Sequence, residues 1–281
     1  MKHESKKRIK RGKRKENMEK KFYKASNDAV FKAMFCNIKN EDLLKRLIET
    51  SLQEKVEIIK ILPPEILKKN VYVKNKTLDV IVKAKNEIIC IEMNSSYYDG
   101  LNRRNFGYIA SKYSEEVKVG EDYTKMKTFI QLNFTKSLPK NHPVVKKCTV
   151  NDKKTKIDYI DNFVIYEFNL DKLSETCYNE DEMYKFIALL DADKEKIHKI
   201  SKGDKDMEKF EKEINNLNED VEFTTWISAE EDARKVHNTL IKNAQKEGKL
   251  KVAKNLLNKN IDIDLISEVT ELTKEEIENL K

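Results

Sequence analysis

The chain has 281 residues, of which 37% are charged and 39% apolar, and it contains four cysteines. This length and apolar fraction allow a hydrophobic core in one large domain with an appendage. No apolar run reaches the roughly 18 residues of a membrane span, and the N-terminus lacks an apolar segment, which excludes a transmembrane helix and a secretory signal. The cysteines follow no zinc spacing, so we expect free thiols in a cytoplasmic protein.

The positive charge of the chain is concentrated at its N-terminus. Residues 1–24 contain twelve Lys or Arg and three Glu, whereas the net charge of the whole chain is +7. We therefore expect residues 1–21 to form a disordered basic tail that binds DNA phosphates without sequence preference; a merely solubilising extension is the alternative. The residues expected to contact DNA are Lys6, Lys7, Arg8, Lys10, Arg11, Lys13, Arg14 and Lys15.

The first predicted elements are two helices and two strands. Asn27 or Asp28 can cap a helix over residues 28–36, and an apolar face predicts a second helix from Glu41 to Leu52. Residues 56–62 are expected to form a strand that ends at Pro63, and residues 71–73 a shorter one.

A β-hairpin over residues 77–94 carries the strongest chemical signal. If Lys85-Asn86 is its turn, Asp79 lies opposite Glu92 on one face, with Cβ atoms about 5 Å apart, and Asn94 shares that face. Apolar residues on both faces indicate a buried strand pair. A divalent cation between the two acids would offset their repulsion, whereas carboxylates that reach solvent are the alternative. A turn of different length would place the acids on opposite faces.

The helix predicted for residues 101–119 adds groups suited to a phosphate. Arg104, Tyr108 and Lys112 follow one another at intervals of four residues and share one helix face. Arginine can bind phosphate oxygens with two parallel hydrogen bonds, and tyrosine can donate or stack. A surface salt bridge beside a core tyrosine is the alternative.

Two further strands and a mainly helical C-terminal part complete the chain. The strands are predicted at residues 128–134 and 163–170, with a loop or a poorly formed hairpin between them. A narrow apolar seam predicts a long helix over residues 226–258, which we expect to pack on the body of the protein, or alternatively to form a homodimer. Two short helices follow, the second capped by Thr273 with Glu276; they resemble a helix-turn-helix, or simply cap the long helix.

Several separated motifs carry a family resemblance. Asp79 followed by Glu92-Met93-Asn94 looks like the D…ExK or D…ExQ motif of PD-(D/E)XK nucleases. Residues 27–35, 104–113, 120–123 and 253–280 are similar to further blocks, in the same order, of the PD-(D/E)XK family transposases, also called recombination-promoting or Rpn-type nucleases. The resemblance spans about residues 22–281.

The resemblance implies an α/β fold with a restriction-endonuclease-like core, a mixed central sheet flanked by helices, over residues 22–172. A charged helical connector over 173–225 and a helical extension over 226–281 would follow. The implied activity is metal-dependent hydrolysis of DNA, with Mg²⁺ or Mn²⁺ held by Asp79, Glu92 and the main-chain carbonyl of Met93. Asn94 would orient water or phosphate, and Arg104 and Tyr108 would assist the phosphate.

The same resemblance leaves two questions open. Asp28 is a second-tier candidate, because an early acidic residue sometimes approaches the metal in this superfamily. Asn94 stands where many members place Lys or Gln, which leaves open a pseudo-nuclease that binds DNA or a protein partner without cutting. A helical interaction protein, with function in the C-terminal seam, is a further alternative.

Overall fold

The computed structural model describes residues 21–62, 79–116, 122–176 and 184–280. The basic tail and the strand expected at 71–73 lie outside these residues. The chain forms two compact units, which divide between Asn215 and Asn216. The strands are β1 Ile58–Leu62, β2 Val80–Ala84, β3 Glu87–Asn94, β4 Thr128–Thr135, β5 Val145–Asn151 and β6 Asp158–Asn169. The helices are α1 Asp28–Phe35, α2 Glu41–Leu52, α3 Leu101–Glu116, α4 Leu170–Thr176, α5 Lys185–Ala188, α6 Lys194–Ser201, α7 Lys205–Glu219, α8 Val221–Leu257, α9 Ile263–Thr270 and α10 Lys274–Glu278.

The first unit is built on one mixed sheet in the order β1-β2-β3-β4-β6-β5. Strand β2 pairs antiparallel with β3, and the partners Val80–Ile91 and Ile81–Cys90 confirm the predicted register and its two-residue turn. Strands β3, β4 and β6 run parallel, and β5 is an antiparallel edge strand. The register places the position before β2, Asp79, next to Glu92.

A lysine from the start of β4 supports the turn that fixes this register. Lys127 Nζ donates to the carbonyl oxygens of Ala84 and Lys85 at 2.5 and 2.6 Å. These carbonyls lie where β2 ends and the turn begins, and they form part of the tight connection to Glu87. The ammonium therefore satisfies backbone acceptors at the point where a change of loop length would shift the strand pairing.

Both faces of the central strands are covered, as the sequence predicted. On one face, α1 brings Phe31 to within 6.5 Å of the ring of Phe134, which stacks on Phe168. On the opposite face, Ile109 of α3 joins a buried cluster with residues of β2, β3, β4 and β6. Asn27 caps α1 by accepting from the backbone N–H of Ala29, which satisfies a donor at the start of the helix.

Of the two expectations for the segment before β6, the loop is wrong, and the hairpin forms but is longer than expected. Strand β5 pairs with β6 from Val145–Phe168 to Asn151–Asp158, and β6 begins five residues earlier than predicted. Irregularities in the pairing on both sides of Val150 interrupt the alternation of side chains. Because the alternation is broken and half the segment is charged or polar, periodicity alone did not predict this strand.

The second unit consists of α8, α9 and α10 with the end of α7. Ile266, Leu272 and Ile277 form a small core with Ala253 of α8. The predicted capping box is confirmed, because Thr273 and Glu276 exchange side-chain and backbone hydrogen bonds. Trp226, Val236 and Leu240 of the predicted apolar seam are all exposed. The packing of this seam on the body of the protein, or alternatively on a second copy of the chain, stays a prediction.

Across the described ranges of the chain, every helix is too short or too polar to cross a membrane.

Candidate active site

Polar side chains replace apolar ones on the α3-facing side of the sheet near the carboxyl ends of its parallel strands. Glu92 of β3 lies beside Asn133 of β4, which lies beside Glu167 of β6; all three are buried. We call these residues, together with Asp79, the polar row. The next positions along the strands are Asn94, Thr135 and Asn169, and these too are buried.

Sequence reasoning missed the β4 and β6 members of this polar region. The available signal was the spacing of two between Gln131, Asn133 and Thr135, and between Glu167 and Asn169, within otherwise apolar strands. Buried polar residues at that spacing occupy one face of a strand. Their proximity to Glu92 depends on which strands are neighbours, and that information comes only from the sheet order.

Asp79 is held by two donors at the entrance to β2. Its Oδ1 lies 3.0 Å from Nζ of Lys32, and its Oδ2 accepts from the backbone N–H of Met93 at 2.8 Å. The same ammonium lies 3.0 Å from Asp28. Asp28 therefore reaches the site through Lys32. Sequence reasoning assigned no role to Lys32, which is a member of the motif at residues 27–35.

The environment of Asp79 contains opposing influences on its charge. Burial raises the pKa of Asp79, as does the charge of Asp28, while Lys32 and the Met93 N–H lower it. Burial also opposes the charge of Lys32, but Asp79 and Asp28 outweigh it and raise the pKa of that ammonium. The raised pKa of Asp79 favours its neutral form, whereas the raised pKa of Lys32 is caused by a charged Asp79 beside it. We take Asp79 as a carboxylate, because both of its oxygens receive donors at hydrogen-bond distance.

Glu92 is less well satisfied than its neighbour. Its side chain is almost fully buried, and Oε2 lies 3.5 Å from Nη2 of Arg104. Its Oε1 is buried without a hydrogen-bond partner among the described residues. Burial and then the nearby charge of Asp79 raise the pKa of Glu92 to about 9. Burial and the charge of Asp79 thus favour the protonated form of Glu92 when no cation is present.

Arg104 connects the acidic pair to the remaining predicted residues. Its Nη2 donates to Oδ1 of Asn94 at 2.8 Å, and Nδ2 of Asn94 donates to Thr135 at 3.2 Å. The guanidinium lies 5.6 Å from the ring centre of Tyr108 and 5.9 Å from that of Tyr98. The structure thus brings Asp79, Glu92, Asn94, Arg104 and Tyr108 together. Two aromatic faces hold Arg104 beside the site.

Lys112 and Met93 lie on the same elements as the site residues, and the structure shows what each of them contacts. Lys112, which shares a helix face with Arg104, pairs with Glu115 and Glu116 instead of reaching the acids. Met93, named for its main-chain carbonyl, contacts the site through its N–H. At the other end of the polar row, His142 Nε2 lies 2.9 Å from Glu167, an interaction that sequence reasoning did not foresee.

Residues 25–244 match the family model described as PD-(D/E)XK nuclease family transposase. The chain belongs to this family. Residues 246–281 match a second model, the C-terminal HTH domain of the Rpn/YhgA-like nuclease family. No curated protein and no solved structure matches the chain. The PD-(D/E)XK assignment and the mixed sheet flanked by helices confirm the expected restriction-endonuclease-like fold.

The residues of the candidate site suit a small divalent cation. Among the described residues there is no group of three or more His, Cys, Asp or Glu side chains placed to hold a metal. Mg²⁺, however, is commonly bound through one or two carboxylates, with water and substrate phosphate completing its shell. Asp79 and Glu92 supply that number, and the unpartnered Oε1 of Glu92 is an acceptor that a cation would satisfy.

Proposed function

We propose that this PD-(D/E)XK family member is a metal-dependent DNA endonuclease that hydrolyses phosphodiester bonds in the cytoplasm, in association with transposition or recombination. The observation that carries the proposal is the buried Glu92 carboxyl, which has one unpartnered oxygen and lies beside a second acid. Keeping a buried acceptor without a partner costs stability, and such an acceptor beside a second carboxyl is typical of a functional site.

Asp79 and Glu92 would hold Mg²⁺ or Mn²⁺, with the main-chain carbonyl of Met93 as a further ligand. When bound, the cation would activate water and offset negative charge on the phosphate. Lys32 keeps Asp79 ionised and in place through its 3.0 Å contact. Arg104, which is only partly buried, can bind a phosphate oxygen with donors that do not face Asn94. Tyr108 packs on the guanidinium and limits its movement.

Asn94 acts in this scheme mainly by positioning Arg104. Both polar groups of its amide are used, one by Arg104 and the other by Thr135. It carries no charge, so it supplies less electrostatic stabilisation of the transition state than a lysine would. We therefore expect a slow enzyme that depends strongly on its metal.

A plasmid-nicking assay with Mg²⁺ or Mn²⁺ tests the proposal. We expect nicking by the wild type, none in EDTA, and none from Asp79→Ala or Glu92→Ala. Glu87→Ala is the matched control, because Glu87 begins the same strand and is only partly buried. Metal binding is measured separately by calorimetry, where both site variants should lose the Mn²⁺ signal. Nicking that survives either site substitution contradicts the proposal.

A catalytically inactive DNA-binding protein is the second candidate. It is favoured by Asn94, whose uncharged amide contacts Arg104 and Thr135 at the position where many members of the superfamily place a lysine. This candidate predicts Mn²⁺ binding and DNA binding without nicking, even at high enzyme concentration and with Mn²⁺ in place of Mg²⁺.

A further inference from the structure

The hairpin of β5 and β6 extends beyond the rest of the sheet. Strand β6 begins at Asp158, but its pairing with β4 begins only at Phe163. Five residues of β6 therefore pair with β5 alone, a length of about 16 Å at 3.3 Å per residue. We call residues 145–162 the basic arm. It is a two-stranded ribbon on the edge of the sheet that carries the site.

The basic arm combines positive charge with exposed apolar side chains. Its five lysines are exposed, and within the described part of the chain none forms a salt bridge; they are Lys146, Lys147, Lys153, Lys154 and Lys156. Asp152, one of its three acids, is used inside the turn, where it accepts from the N–H groups of Lys154 and Thr155. Tyr159 is 85% exposed and Ile157 69%.

A solvated charged hairpin does not account for this combination. Lysines alone keep an edge strand soluble and unpaired with other chains. Large apolar side chains beside them at the tip expose surface to water at a cost. Lysines that bind phosphates next to apolar residues that contact bases or sugars are typical of arms that bind DNA grooves.

The register connects the arm to the site. Lys146 lies opposite Glu167, the β6 member of the polar row that includes Glu92. Asp158 at the tip lies nine positions before Glu167 along β6, which is about 30 Å. One turn of B-DNA is about 34–36 Å, and the major groove admits a two-stranded β-ribbon. A duplex along the arm would thus meet Lys146 near the polar row and the tip lysines about one turn away.

The charged side chains of helices α9 and α10 are mostly acidic, and some of them pair with lysines. Helix α10, the second of the helix pair, has one lysine and three glutamates. Lys274 pairs with Asp264 at 2.5 Å, Lys246 pairs with Glu276 at 2.5 Å, and Lys249 pairs with Glu271. Lys251, Lys254 and Lys259, at the end of α8 and just after it, are exposed, so this unit keeps basic side chains of its own.

We propose that the basic arm is an element by which the folded part of the chain docks on duplex DNA. The inference depends on the proposed function only in taking DNA as the substrate. It assigns the lysines of the tip to phosphates and Tyr159 to a groove.

Fluorescence anisotropy with a 30-base-pair duplex tests this assignment on the full chain, in EDTA so that no cleavage occurs. The test variant is Lys153→Gln/Lys154→Gln/Lys156→Gln. The control is Lys194→Gln/Lys199→Gln/Lys202→Gln, which removes equal charge from exposed positions on and just after α6. Circular dichroism checks that both variants fold.

We expect the arm variant to bind at least tenfold more weakly at 0.1 M salt and to reduce the slope of log K against log salt by about 2 to 3, since each lost phosphate contact contributes about 0.9. The control should change affinity less than twofold. Tyr159→Ala should weaken binding without changing the slope. Equal losses in the two triple variants, or a loss for single-stranded DNA only, would overturn the inference. A protein that never nicks DNA but shows these losses would refute the nuclease proposal and leave this one standing.

Discussion

Replacing Glu92 by glutamine should stabilise the metal-free protein, and increasingly so as pH rises. An unfolded chain ionises this carboxyl near its ordinary pKa of 4.5, whereas burial raises the folded-state pKa to about 9. Between these values the folded protein binds one more proton than the unfolded chain, so the free energy of unfolding falls as pH rises. Glutamine does not titrate, and a Glu92→Gln variant avoids this loss.

The size of the effect follows from the width of that window. Each pH unit within it corresponds to about 1.36 kcal/mol, so an increase from pH 5 to pH 8 costs the wild type at most about 4 kcal/mol. Relaxation around the charge reduces this, and we expect a relative gain of about 2 to 4 kcal/mol for the variant. In a protein of this size, that is a difference in Tm of about 4 to 12 °C.

Thermal unfolding in EDTA at pH 5, 6, 7 and 8 measures the effect. Glu87→Gln on the same strand is the control and should show no trend with pH. A Glu92→Gln variant that is destabilised equally at pH 5 and pH 8 would refute the reasoning. That result would mean that Glu92 is ionised in the folded protein and that Arg104, 3.5 Å away, compensates its charge.

Three substitutions at two positions and one deletion have defined outcomes. Lys32→Met removes the cation shared by Asp28 and Asp79. In urea unfolding the metal-free variant should lose about 1 to 2 kcal/mol of stability after allowance for solvent screening, and Mg²⁺ should restore part of this loss. An unchanged urea midpoint would speak against the contact. Asn94→Ala should slow single-turnover nicking by about tenfold or more, because Arg104 loses the side chain that positions it. Asn94→Lys should also slow nicking, because the new ammonium lies beside the guanidinium of Arg104. Nicking at the wild-type rate by these variants would remove Asn94 from the site. Deletion of residues 1–21 should weaken duplex binding and flatten its salt dependence. The nicking rate at saturating DNA should not change. A loss of cleavage at saturating DNA would place the tail in the site.

The sequence was sufficient to predict the hairpin and the acidic pair because both depend on local order. A two-residue turn between two apolar runs fixes which residues face each other, and the pairing of Val80 with Ile91 follows from it. The helix Glu41–Leu52 was predicted with the same bounds, because its apolar residues recur at helical spacing. Neither result needed knowledge of distant contacts.

The missed features depend on contacts between segments far apart in the chain. Lys32 reaches Asp79 only because α1 packs on this end of the sheet, and periodicity within α1 carries no such information. Asn133 and Glu167 lie in one row with Glu92 only because the strands are arranged in the order β3-β4-β6. Strand β5 was missed because bulges around Val150 break its alternation.

The lysine that supports the β2–β3 turn has a consequence for chemical modification. Lys127 is only partly buried, and its ammonium holds two carbonyls of a turn that lies about forty residues earlier in the chain. Acylation would remove its charge and two of its three donor hydrogens, leaving one amide N–H for two acceptors. Amine-reactive labels and cross-linkers that reach this residue would therefore loosen the hairpin that aligns Asp79 with Glu92. Faster amide hydrogen exchange at Asn86 and Glu87 would report the damage.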